Sequence, residues 1–131
     1  MTVETYIHQT LQAIQSIKNL IPAASIYAFA SATNAEKCFI RWTLSDEQKA
    51  ASTLDINNGK LYQANVLISV FANTIANARK IADAVEEAFN NDNINSDNIL
   101  SSRCQSLSPI LEDKRTIHYP IQATIFYLKQ I

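Results

Sequence analysis

The sequence predicts an α+β domain: a mainly antiparallel sheet of four to five strands with two amphipathic helices packed on one face. Three observations carry that prediction. Apolar residues recur at helical spacing in 3–17 and in 74–89. They alternate in strand fashion along 61–71 and 116–128. No linker or internal repeat divides the 131 residues, so 1–131 reads as a single domain. With 47% hydrophobic and 18% charged residues, the composition is that of a chain able to bury a core.

The elements follow in the order α-β-β-β-α-β-β. Val3, Ile7, Leu11, Ile14 and Ile17 share one helical face. Thr2 supplies a start cap, and Pro22 follows its end. Residues 26–30 form a short strand candidate rich in β-branched and aromatic side chains. In 37–44, Cys38, Ile40, Trp42 and Leu44 share one face, and Lys37, Phe39, Arg41 and Thr43 share the other. The polar segment 45–60 reads as an extended loop or hairpin tip. Its Ser45-Asp46-Glu47-Gln48 capping box is compatible with a short helical turn through Ala51, and Asn57-Asn58-Gly59 is a turn signal.

In 61–71, Tyr62, Ala64, Val66, Ile68 and Val70 make an apolar face; Leu67 and Phe71 interrupt the polar one. The helix 74–89 carries the stripe Ile75, Ala78, Ala82, Val85 and Phe89, widened by Ile81 and Ala88, with Asn73 or Thr74 as cap. Glu86 and Glu87 in its last turns read as a solvated face. An Asn-rich linker, 90–98, precedes a weakly alternating strand over 99–110. Glu112, Asp113, Lys114 and Arg115 read as a charged turn before the last strand, 116–128. Pro120 in that strand removes a ladder donor and points to an edge position or a bulge.

Chemistry is sparse in this pattern. The single glycine, Gly59, excludes phosphate-cradling loops, and the junction Ala72-Asn73-Thr74 has neither nucleotide fingerprint. His8 and His118 lack zinc spacing and read as ordinary surface histidines, His118 outward-facing. Cys38 and Cys104 read as small buried thiols; a disulfide between them has no further support. No cofactor or metal is expected, and no enzyme activity. The net charge of −1 argues against general nucleic-acid binding. The start of the chain lacks a signal-peptide pattern and no apolar run is long enough to span a bilayer, so synthesis in the cytoplasm without a membrane segment is expected.

A long strand, "LYQANVLISVFA", running directly into the helix "TIANARKIADAVEEAFN" resembles the central unit of bacteriophage tail terminator and tail completion proteins of the lambda-like type. The initial helix, the strand "CFIRWTL", the charged "EDKR" and the closing "IQATIFYL" extend the resemblance over nearly the whole chain. It implies a non-enzymatic structural protein of the virion tail, made in the host cytoplasm. Such a protein forms a ring, commonly hexameric, that caps the tail tube and joins it to the head. Its partners are its own copies, the tube protein and head-joining proteins.

Candidate contacts fall into two sets. Asp46, Glu47, Lys49, Glu112, Asp113, Lys114 and Arg115 lie in the segments 45–60 and 109–116. Leu67, Phe71, Phe126 and Leu128 are apolar interruptions of otherwise polar strand faces, suited equally to an interface or to a minor second core. Two other function classes fit the scaffold. One is a small-molecule-binding domain or enzyme with a pocket near Trp42 and Tyr62. The other is a bacterial adaptor that dimerises through sheet edges.

Overall fold

Each helix starts at a threonine whose hydroxyl accepts a bond that the first turn cannot satisfy internally. Thr2 caps α1 (Val3–Gln12) by accepting from Thr5 N–H at 3.1 Å, and Thr74 caps α2 (Ile75–Phe89) by accepting from Asn77 N–H at 3.1 Å. The structure, a computed structural model, describes residues 2–21, 25–28, 38–49, 55–56, 59–91, 94, 98–113 and 116–130.

The first helix is shorter than its apolar spacing predicts. It closes at Ala13, Ile14 turns extended, and a separate 3-10 turn (Gln15–Ile17) follows. That turn winds more tightly than an α-helix and sets Ile17, 2% exposed, against α2. In α2 the buried stripe is Ala78, Ile81, Ala82, Val85 and Phe89. Ile75, expected in that stripe, is 45% exposed.

The strands are β1 (Ile26–Ala28), β2 (Phe39–Lys49), β3 (Asp55–Ile56), β4 (Gly59–Ala72), β5 (Ile99–Ser106), β6 (Ile110–Asp113) and β7 (Thr116–Gln130). Among the described residues they form a seven-stranded sheet with the main order β1-β2-β4-β7-β5, with β3 on β4 and β6 on β7. Among the described residues, all pairings are antiparallel except β1 with β2. The predicted class and layer arrangement hold. The two extra strands, β3 and β6, are too short for alternation to mark them in the sequence.

Two local expectations fail for identifiable reasons. Residues 45–49 continue β2 as a strand and form neither a loop nor a helical turn. A register shift lies between Leu44 and Asp46, and the Ser45 hydroxyl donates to the Asn65 carbonyl at 2.7 Å. A bulge of this kind reverses the inside-outside alternation, so the strand signal stops at Leu44. Pro120 sits in β7, between β4 and the β5–β6 side, and the β4–β7 register runs past it unshifted. Its carbonyl accepts from Leu107 N–H at 2.9 Å, so its nitrogen faces the same side, where β5 has ended and β6 has not begun. The missing donor therefore falls in a gap of the ladder.

The core is one layer between the helices and one sheet face. Trp42, Ile40, Ile68, Ile121 and Ile125 of the sheet and Ile7, Leu11, Ile81 and Phe89 of the helices are all at most 1% exposed. Tyr6 meets the Phe89 ring edge-on at 6.2 Å. Ser102, fully buried in β5, donates its hydroxyl to the Phe89 carbonyl at 2.6 Å and so satisfies the end of α2. Both cysteines are free thiols. Cys38 is buried; Cys104, half-buried, points its thiol at the Glu86 carbonyl. Burial, and then the Glu86 carboxylate, push the Cys104 thiol up to about 12.

Candidate subunit-contact face

Both helices lie on the same side of the sheet, α2 against β4, β5 and β7 and α1 against α2 and β1. On the opposite side, no described element packs. Strand pairing sorts that open face into rows that run across the sheet.

At one end of the strands the row is aromatic. Phe39 stacks on Phe71 with centroids 4.6 Å apart, and Phe71 stacks on His118 at 4.5 Å with their planes only 9° apart. These distances match the spacing of neighbouring strands, so the rings stand upright, side by side. Tyr27 meets Phe39 edge-on at 6.2 Å, and the Arg41 guanidinium lies 5.5 Å from the Phe71 centroid, within cation–π range. Ile110, opposite His118 in the register, ends the row 48% exposed.

The middle of the face is polar. Asn65 donates its amide to Asp46 Oδ1 at 2.8 Å and accepts from the Thr124 hydroxyl at 3.1 Å. Register places exposed Arg103 at the far end of the same row. A cavity of about 380 Å³ opens here among Ser45, Asp46, Asn65, Leu67, Gln122 and Thr124. At the other end of the strands Leu61 pairs with Leu128, and Gln63 with Phe126.

Leu67, Phe71, Phe126 and Leu128, scattered in sequence, are thus brought onto one face. Asp46 joins them. Glu47 does not: the bulge turns it to the helix side, where it accepts a hydrogen bond from the Tyr127 hydroxyl. Burial and then this bond push that phenol well above its ordinary range. Lys49 lies at the end of β2 opposite Tyr62. Glu112 and Asp113 belong to β6 rather than to a turn, and Lys114 and Arg115 lie outside the described residues. Sequence reasoning placed Phe39 and Arg41 on the outer side of β2 without joining them to Phe71. His118, read as an ordinary surface residue, is half-buried in the aromatic stack. An aromatic at the matching register position of each neighbouring strand was the available signal.

His8 also departs from its surface reading. It is half-buried, with Trp42 Nε1–H donating to its Nδ1 at 3.1 Å and the Gln12 amide 3.2 Å from its Nε2. A cleft of about 450 Å³ lies beside this pair, lined by Glu4, Gln9 and Ala28 among others. Tyr62 does not reach it. Trp42 pairs with Ile68, so Tyr62 lies about 20 Å further along β4. Glu86, read as solvated, accepts from the Ser106 N–H at 2.8 Å.

The two sheet margins differ. Along β5 the outward N–H groups of Ser102, Cys104 and Ser106 are taken by the Asn91 carbonyl, the Asn90 side chain and the Glu86 carboxylate. That edge is closed to a further strand. At the other margin β1 covers only Ile40, Arg41 and Trp42; beyond them β2 pairs, among the described residues, with β4 alone.

A chain of the virion of a native gene transfer agent particle shares this fold. The two superpose with a TM-score of 0.67 over 97% of this chain and 95% of that one, at 16% sequence identity. At that identity the likeness is one of fold. No protein-family model matches the sequence, and no curated protein matches it.

Proposed function

We propose that this protein is a structural component of a phage-type particle, of the tail terminator or completion type, acting as a ring of its own copies at the junction of tail tube and head. The observation that carries the reading is the end-to-end correspondence with a virion chain, in which 97% of this chain aligns with 95% of the other. The reading assigns no catalysis. The mechanism is geometric: a ring that matches the last ring of the tube stops growth by offering no surface to another tube subunit. Such a ring closes through a heterologous contact. The capped β5 edge speaks against sheet-to-sheet continuation there, which favours the β2 margin and the segments near Lys49 and β6 for that contact.

The test is the mass of the full chain in solution by light scattering over a wide concentration range, with electron microscopy of the largest species. Rings of about six subunits are expected. A chain that stays monomeric throughout and shows no ring on the grid overturns the reading.

A further inference from the structure

The open face has an internal symmetry that its composition does not announce. Asp46, Asn65, Thr124 and Arg103 form one row across β2, β4, β7 and β5. A carboxylate stands at one end of that row and a guanidinium at the other. Phe71 and His118 lie side by side toward one end of the strands, and Leu61 and Leu128 toward the other.

Consider a two-fold axis in the plane of contact, parallel to the strands and midway between β4 and β7. It lays β2 over the second copy's β5, and β4 over its β7. Asp46 then faces the second copy's Arg103, and Arg103 faces its Asp46. Phe71 meets His118, and Leu61 meets Leu128. Opposite charges meet in the middle row, the Phe71 and His118 rings meet at one end and Leu61 meets Leu128 at the other, and the same axis sets Gln63 over Phe126 and Leu67 over Gln122. An isologous contact requires that self-complementarity, and aligned sheets at about 30° are an ordinary way to pack two such faces. Asn65 engages only Oδ1 of Asp46, so Oδ2 is the acceptor offered across the contact.

We propose that a second copy of this chain occupies the open sheet face, with reciprocal Asp46–Arg103 pairs fixing the register of the two sheets. This contact goes beyond the ring reading and does not depend on it. A ring alone gives about six subunits, the face contact alone gives two, and both together give about twelve.

The experiment is sedimentation of the full chain and of three variants, Asp46→Arg, Arg103→Asp and the double exchange, at low and moderate salt. Both residues are exposed, so circular dichroism should match the parent in all three. Each single exchange turns two attractions into two repulsions and is expected to weaken pairing roughly tenfold or more. The double exchange restores the charge pattern and should recover affinity to within about threefold of the parent. Added salt should weaken the parent's pairing. Single exchanges that leave pairing unchanged, a double exchange no tighter than the singles, or assembly that never pairs faces at millimolar concentration would each overturn the proposal. A charge exchange that abolishes twelve-subunit particles but leaves six-subunit rings would separate the two contacts.

Discussion

Replacing Phe89 and Ile75 by alanine, one at a time, tests the packing of α2 at its two ends. Both belong to the same apolar stripe in the sequence, yet Phe89 is 0% exposed and Ile75 is 45% exposed. Truncating a fully buried phenylalanine removes its transfer energy and leaves a cavity, typically about 3–5 kcal/mol together. Loss of the edge-on contact with Tyr6 places Phe89→Ala toward the upper part of that range. Ile75→Ala opens no cavity and gains slightly in helix propensity, so its cost should stay within about 0.5 kcal/mol. At ~2.1 cal/mol/K of unfolding entropy per residue, the 131 residues lose roughly 3–4 °C of Tm per kcal/mol. Phe89→Ala should therefore melt roughly 14–18 °C below the parent, and Ile75→Ala within about 2 °C of it. Urea titration followed by far-UV circular dichroism, with calorimetry for Tm, measures both. A Phe89→Ala cost under about 1 kcal/mol, or an Ile75→Ala cost equal to it, would refute the placement of α2 on the sheet.

Three further outcomes follow from the polar groups of β5. Ser102→Ala leaves the Phe89 carbonyl without its 2.6 Å partner in a site with 0% exposure, so urea unfolding should show a loss of about 1–3 kcal/mol; a loss below about 0.5 would argue against that bond. Cys104 has a native pKa raised to about 12, above the thiol of an unfolded chain, so the folded state holds its proton longer. Its contribution is full below about pH 8.5 and is lost as pH rises through about 12, and Cys104→Ser should flatten the alkaline fall in stability. At pH 8 native Cys104 should alkylate far more slowly than the unfolded chain; equal rates would contradict the burial of its thiol.

The periodic parts of the fold were readable from sequence because the constraint there is local. Thr2 and Thr74 cap their helices within three residues of chain, and the alternation of 61–71 and 116–128 marks both long strands. Two of the failures come from contacts distant in sequence. Residues 45–49 read as a loop because a bulge at Ser45 reverses their alternation, and only pairing with β4 shows them to be strand. Pro120 reads as an edge residue because no local pattern reveals that β5 and β6 leave a gap opposite it.

The candidate face divides in the same way. Leu67, Phe71, Phe126 and Leu128 stand out in sequence as apolar residues at outward positions. Phe39, His118 and Arg103 do not, since each looks unexceptional on its own strand. The sequence alone determined the α+β class, the two amphipathic helices, the two long strands and the lack of a phosphate loop, because each depends on neighbours within a few residues. The tertiary structure decided which strands lie side by side, and with that which rings stack and which charges share a row. Pairing register joins residues as distant in the chain as Phe39 and His118, and nothing local to either one encodes the match.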